Sequence, residues 1–390
     1  MKICYINPTV VLRRPIAELA NILANDGHKV AIITPVPLGE KINTYFSKIL
    51  SNKNIEIIPI PSFYSKKLRF AIPVPGTLIT RTLKAMKDYD LFHIWTYFYP
   101  YPVVPLLIKR FFKPKYPMIL TTDGVVGYLY KSPSKLINTA LILYTKLIGK
   151  TIFDSANKMT FYSKLQIPYG RMAGMPVKHI KVISTGIHLN KFKPSKSARV
   201  KIRKEFKIKP DETIVLFVGM LTERKGIDHL INITKNLVDK NLKLRVLVVG
   251  HGPFEKQYKE LTNKYKLDGV VTFTGNRSDV PTLMAGSDIF FLASRGEGLP
   301  GVVMEAAASG IPSIATEDGL TADLIIHNKT GFLAKPHQEN EFEKYLEKLV
   351  SNKTLRQKMG KSSRKHIEKF DWKVVAKRYV TEYKQLINQT

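Results

Sequence analysis

The sequence predicts an α/β protein built from two Rossmann-like, doubly wound domains facing a central cleft. Three observations predict it. Short apolar runs alternate with amphipathic stretches along almost the whole chain of 390 residues, which is the pattern of βαβ units. That alternation breaks once, near the middle, at a charged segment. An apolar content of 44% gives each half a core of ordinary size.

The first half opens "MKICYINPTVVLRRPIAELANILANDGHKVAIITP". Ile3 to Ile6 reads as a buried strand. Pro15 suits the first turn of a helix, and Ile16, Leu19, Ala20 and Leu23 follow at helical spacing. Gly27 ends that helix, and Lys29 to Thr34 is the next strand. Further strands are expected at Ile55–Ile60, Leu91–Trp95, Met118–Thr121, Lys158–Tyr162 and Ile180–Ile183. Residues 1–185 therefore form the first domain. Residues 186–210 carry many charges and no long apolar run, and read as a linker. The alternation resumes at "ETIVLFVGMLTERKGIDHLINITKNLV" and continues through "LRVLVVGHGP", "VVTFTG", "DIFFLAS", "IPSIAT" and "TGFLAK". Residues 211–370 form the second domain. Residues 371–390 are assigned to a C-terminal helix, in position to cross back to the first domain. In such sheets ligands sit at the carboxyl ends of strands.

Charge narrows the partners. The formal net charge is +31, and residues 1–185 hold 26 Lys and Arg against 8 Asp and Glu. Nucleic acid, an anionic membrane surface and a phosphorylated small substrate each fit that balance. No zinc finger, helix-turn-helix or aromatic RNA-binding signature occurs, so a nucleic-acid partner is not expected. A single cysteine, Cys4, excludes an internal disulfide and suits a reducing compartment. Arg13 and Arg14 interrupt the first apolar run, which is therefore not read as a signal peptide. No run of 18 apolar residues appears, so no bilayer-spanning segment is expected. The expected location is the cytoplasm, with attachment to the inner face of the cell membrane as the alternative to a free protein.

The stretch "SRGEGLPGVVMEAAASGIPSIA", Ser294 to Ala315, places two carboxylates in small, apolar surroundings. Glu297 follows a strand and falls on a strand-to-helix turn. Gly298 and Gly301 let backbone amides approach a ligand closely. A helix starting near Pro300 offers exposed amides and a positive end to an anion such as a diphosphate. Glu305 lies further into that helix and can accept hydrogen bonds from paired hydroxyls, as on a sugar or ribose. The opposing reading makes Glu297 a helix cap and Glu305 a surface residue. Asp123, before Gly124, is either a turn residue or a group facing the reacting centre. His93 ends a strand and is expected to be structural. Asp88 and Asp90 are not expected to bind metal, and no metal cofactor is expected.

On a helical wheel, "SKLINTALILYTKLIGKTIF" (134–153) gathers Leu136, Ile137, Ala140, Leu141, Leu143, Tyr144, Leu147 and Ile148 on one half. Lys135, Lys146 and Lys150 fall on the other. Two readings stay open: a helix packed on the sheet, or an interfacial helix with lysines toward anionic head groups. Lys66, Lys67 and Arg69 add basic residues beside apolar ones.

The spacing of Glu297 and Glu305 resembles the Glu-x7-Glu signature of retaining GT-B glycosyltransferases of family 4. "VGMLTERKGIDHLI", "VVGHGP", "VTFTGNRSDVPTLMAGSDIFFLAS" and "NKTGFLAKP" follow in that family's order, as do "DGHKV" and "VISTGIHLNKFKP" in the first half. The resemblance implies a nucleotide-diphosphate sugar donor and transfer of a hexose-type sugar with retention to an acceptor hydroxyl, without metal. It implies that Glu297 contacts the transferred sugar and Glu305 the ribose. It also implies that Arg224 and Lys225, between Gly219 and Gly226, neutralise the diphosphate, with amides near Gly298, Leu299, Gly301 and Val302 completing the anion site. Asp123 aligns where relatives often carry His near the reacting centre. Met220 stands where the family usually has Arg, and His251 and His188 where Asp is common. The basic first half points to a membrane lipid or lipid-linked glycan as acceptor. A nucleic-acid-binding protein and a non-catalytic sugar-nucleotide-binding homologue are the rival readings.

Overall fold

The computed structural model describes residues 1–40, 49–65, 70–129, 134–318 and 320–389. It divides into two compact units, Met1–Gly186 with Trp372–Thr390, and Ile187–Asp371. Lys66, Lys67 and Arg69 lie outside the described residues.

Among the described residues, unit 1 carries β1 (Lys2–Ile6), β2 (Lys29–Pro37), β3 (Glu56–Ser65), β4 (Phe70–Pro73), β5 (Leu91–Trp95), β6 (Met118–Thr122), β7 (Lys158–Phe161) and β8 (Ile180–Val182). They form one sheet in the order β4-β3-β2-β1-β5-β6-β7-β8. All neighbours run parallel except β3 and β4. Strands such as β5 and β6 are buried at every residue. A strand covered on both faces is mostly apolar rather than alternating, and β5 and β6 depart from this only at His93, Thr121 and Thr122.

The helix Arg14–Asn25 covers one face through Ile16, Ala17, Leu19, Ala20 and Leu23. Against it packs the C-terminal helix Trp372–Ile387, which buries Trp372, Val375, Ala376, Tyr379, Tyr383 and Leu386 in the same core as Ile3, Tyr5 and Trp95. His93 is wholly buried there. Its Nδ1 lies 2.5 Å from the Tyr383 hydroxyl and its Nε2 2.6 Å from Thr121 Oγ1. Burial pushes its pKa well below the ordinary histidine value. This histidine ties the returning helix to the sheet. Lys158 and Glu382 form a second tie as an ion pair.

Among the described residues, unit 2 carries β9 (Thr213–Val218), β10 (Leu244–Val249), β11 (Val271–Gly275), β12 (Ile289–Leu292), β13 (Ser313–Thr316) and β14 (Gly331–Ala334). All are parallel, in the order β11-β10-β9-β12-β13-β14. In both units the order reverses beside the first strand, between β1 and β5 and between β9 and β12. Such a switch point is where doubly wound sheets open a crevice for ligands.

Residues 187–210, expected as a linker, belong to unit 2. The segment 196–205 is a helix that buries Ala198 and Ile202 against the helix Val280–Gly286, and Phe192 is buried as well. Two buried positions in ten gave too faint a periodicity to register among eight other, mostly basic, residues. The chain passes between the units at Gly186–Ile187 and again at Asp371–Trp372.

Candidate functional site

The switch point of unit 2 is built from two loops, one after β9 and one after β12. The first, from Gly219 to Gly226, is clamped on both sides. Gly219 donates from its amide to Val249 at 3.0 Å, and Leu221 to His251 at 3.1 Å. A Cβ on Gly250, which holds φ +133°, would fall 1.9 Å from the Gly219 carbonyl oxygen. A Cβ on Gly226, at φ +67°, would fall 2.2 Å from the Ala293 carbonyl oxygen at the end of β12. Only glycine tolerates both the backbone conformation and the approach at these positions. Between the clamps a short turn, Glu223–Lys225, presents Arg224 and Lys225, and the helix Ile227–Asp239 follows.

The second loop carries Glu297. Lys225 Nζ lies 2.6 Å from Glu297 Oε1, and an Arg224 guanidinium nitrogen 3.1 Å from the same oxygen. The side chains of Lys225 and Glu297 are only 15% and 13% exposed, while Arg224 is half exposed. Arg224 also donates to the carbonyls of Arg295 and Gly296, and its own carbonyl accepts from the Arg295 amide at 2.8 Å. The residues expected to serve one ligand thus meet at one place. Gly219 borders the same space, since a Cβ there would stand 3.9 Å from Lys225 Cε.

The alternative role for Glu297, capping the next helix, does not occur. That helix, Gly301–Ala308, has Pro300 at its N-cap position and no side-chain cap. The amides of Leu299, Gly301 and Val302 donate to no protein acceptor among the described residues. Glu297 therefore faces two cations, and the helix that follows it begins without a side-chain cap. Cations and free amides so placed can hold an anion. Glu305 is half-buried on the second turn of that helix, beyond those amides. Gly298 accepts through its carbonyl from the Leu320 amide at 3.2 Å.

Three contributors were not singled out from the sequence. Asp318 accepts a hydrogen bond from the Gly296 amide and so holds the Glu297 loop from the β13 side. His229 Nδ1 lies 2.5 Å from Glu339 Oε2, and its Nε2 3.4 Å from Arg295. His229, Arg295 and Glu339 line a small pocket with Ser294 and Thr316. The signal for Asp318 was its place after β13, one strand beyond the Glu297 strand. His229 and Glu339 lie 110 positions apart, and no local pattern links them.

Asp123 lies in unit 1, just past β6. It pairs with Arg13, and its carbonyl accepts from Gln166 at 2.8 Å. The Arg13 amide donates to Asn7 Oδ1 at 3.2 Å, and the buried Asn7 donates to Thr34 Oγ1 at 3.0 Å. Asp123 thereby anchors the loop that follows β1, through Arg13 and Gln166 of the same unit. His251 is exposed and lies 2.6 Å from Glu255, and Met220 is exposed. Asp90 accepts from the Lys2 amide at 2.8 Å, so it links the start of β1 to that of β5.

Comparison with known proteins gives two adjoining family matches. Residues 14–191 match the model described as Glycosyltransferase Family 4, and residues 198–366 the model described as Glycosyl transferases group 1. An uncharacterised glycosyltransferase of Methanocaldococcus jannaschii is 27% identical over 306 residues, 77% of this chain and 76% of that protein. A GDP-mannose-dependent alpha-(1-6)-phosphatidylinositol monomannoside mannosyltransferase of Mycobacterium tuberculosis is 24% identical over 306 residues, 76% of each chain. Among solved structures, Anabaena HepE in complex with UDP superposes with a TM-score of 0.77 at 18% identity, over 99% of this chain and 100% of that one.

Proposed function

The chain belongs to the group 1 glycosyltransferases of GT-B fold, and we propose that it moves a hexose-type sugar, with retention, from a nucleotide-diphosphate donor to an acceptor hydroxyl. The observation that carries this reading is the Lys225–Glu297–Arg224 cluster beside the uncapped helix Gly301–Ala308. Lys225, Arg224 and the amides of Leu299, Gly301 and Val302 balance the charge that grows on the departing diphosphate. Such preorganised electrostatics is usually the largest catalytic contribution. With those cations in place the reaction is proposed to proceed without metal.

In this reading Glu297 positions the sugar and Glu305 the ribose. The acceptor oxygen bonds to the anomeric carbon on the face from which the diphosphate oxygen leaves. The hydroxyl proton passes to that departing oxygen. Asp123 is proposed to face the sugar or the acceptor. The GDP-mannose dependence of the mycobacterial relative and the UDP bound to the Anabaena neighbour support a nucleotide-sugar donor. The phosphatidylinositol-derived acceptor named for that relative, with the basic first half, supports a membrane lipid or lipid-linked glycan as acceptor. We place the reaction in the cytoplasm, in line with a single, buried cysteine.

The test has two parts. The purified chain is screened by thermal shift against UDP, GDP, ADP and their hexoses. The product made from the stabilising donor is then read for anomeric configuration by NMR. A raised Tm with one nucleotide series and a product of the donor's configuration are expected. An unchanged Tm throughout overturns the donor assignment, and an inverted product overturns retention.

A further inference from the structure

The helical segment 135–155 carries an outward face that the proposed chemistry does not use. It consists of an α-helix, a π-helical turn at Thr145–Gly149 and a closing α-helix. Its inward side is well partnered. Thr145, Gly149, Ile152, Phe153 and Ser155 are buried. The Tyr144 hydroxyl donates to the Tyr97 carbonyl at 2.7 Å, and Thr145 Oγ1 lies 3.1 Å from the Tyr97 hydroxyl. The segment therefore packs on unit 1, as the first of the two readings expects, but not through its leucines.

The leucines point out. Leu136 is 80% exposed and Leu147 75%, and Ile137, Leu143 and Ile148 are exposed as well. Leu136, Ala140, Leu143 and Leu147 recur at steps of four, three and four, which is one face of a helix. Lys135, Lys146 and Lys150, also exposed, fall along one flank of that face. The only acidic residue from 134 to 155 is Asp154, near its end. By length and composition the segment Lys135–Ser155 could even cross a bilayer. Counting uninterrupted apolar residues missed this because Lys146 and Lys150 break the run. Its packed inward side, however, keeps it on the surface of unit 1.

We infer that this face docks unit 1 onto an anionic bilayer. The leucines enter the acyl boundary while the three lysines stay at the head groups, and the helix lies in the membrane plane. Charge selects this occupant. An exposed leucine stripe alone would suit any apolar partner, but here it is flanked by lysines on a half-chain with 26 basic and 8 acidic residues. The inference stands independently of the donor site.

The experiment is co-sedimentation of the full chain with vesicles of phosphatidylglycerol and phosphatidylcholine, and with phosphatidylcholine alone. Binding to the mixed vesicles, weakened by salt and by omission of phosphatidylglycerol, is expected. Leu136→Glu with Leu147→Glu should lower binding by about tenfold or more without moving the Tm. Lys146→Glu with Lys150→Glu should do so through charge and restore the affinity for neutral vesicles relative to anionic ones. Equal sedimentation with both vesicle types, no sedimentation with either, or wild-type binding by both double variants overturns the inference. So does a lipid-free dimer that the leucine variant converts to monomer, since a second copy would then be the occupant.

Discussion

The two units reverse their sheets alike beside the first strand, yet they furnish their switch points differently. In unit 2 the loops after β9 and β12 interlock through glycines and bring Lys225, Arg224 and Glu297 to one point. In unit 1 the loop after β1 is held by an internal amide, Asn7, and by the Arg13–Asp123 pair. The strand β5 then runs into Thr96, a β-branched residue at φ +61°, a conformation that costs energy and concentrates at functional sites. A shared reversal beside the first strand thus fixes where the crevice opens and leaves its chemistry to the loops. In the function we propose, the loops of unit 2 hold an anion.

The sharpest way to break this contrast is to remove the charges of unit 2. Glu297→Ala and Lys225→Ala should each lower kcat by about a hundredfold or more, the size of effect seen when one preorganised charge-stabilising group is lost. Arg224→Ala, half exposed, should cost less, about tenfold. Transfer rates on verified folded protein check this, and near-normal rates in both of the first variants would sink the division of labour. Next in size comes the clamp. Gly226→Ala places a Cβ 2.2 Å from the Ala293 carbonyl oxygen and should destabilise unit 2 by roughly 2–3 kcal/mol, measurable by denaturant unfolding.

The remaining predictions concern unit 1. His93 is buried and neutral, with a folded pKa below its unfolded one. Its contribution is therefore complete above the unfolded value of about 6.5 and is lost as pH falls beneath it, because the unfolded chain takes up a proton that the folded chain refuses. The Tm should drop on acidification from neutral pH, and His93→Gln should flatten that slope by about 2–4 °C. Smallest in stability is Asp123→Asn, which breaks a partly exposed pair and should cost about 0.5–1 kcal/mol. We expect it to lower transfer by about tenfold. Loss of stability with full activity would make Asp123 an anchor for the β1 loop and nothing more.

The sequence was most readable where burial is strongest. Strands buried on both faces, such as β1, β5, β6 and β9, appear as short, mostly apolar runs between turn signals. The strand β4 escaped notice because it is four residues at a sheet edge, contains Pro73 and leaves Ile72 exposed. The helix 196–205 escaped because only Ala198 and Ile202 are buried. At the site, Glu297, Lys225 and Arg224 were legible because their types and local spacing match a known pattern. Asp318 meets the Glu297 loop from after β13, and His229 meets Glu339 from two different helices, a proximity that exists only after folding. The helix wheel found the right stripe at 134–153 but could not say which side faced the protein. The small residues Thr145 and Gly149 turned out to be the inner ones.

Unit 1 is interrupted in the chain by the whole of unit 2, and its last helix starts at Trp372. During synthesis, Ile187–Asp371 has every residue it needs before Tyr379 and Tyr383 emerge to cover the first sheet. The earlier-made domain is therefore the later one to be finished. A stop codon just past residue 371 would leave the charged loops of unit 2 in place and strip His93 of the tyrosine it bonds, exposing the core of the other half.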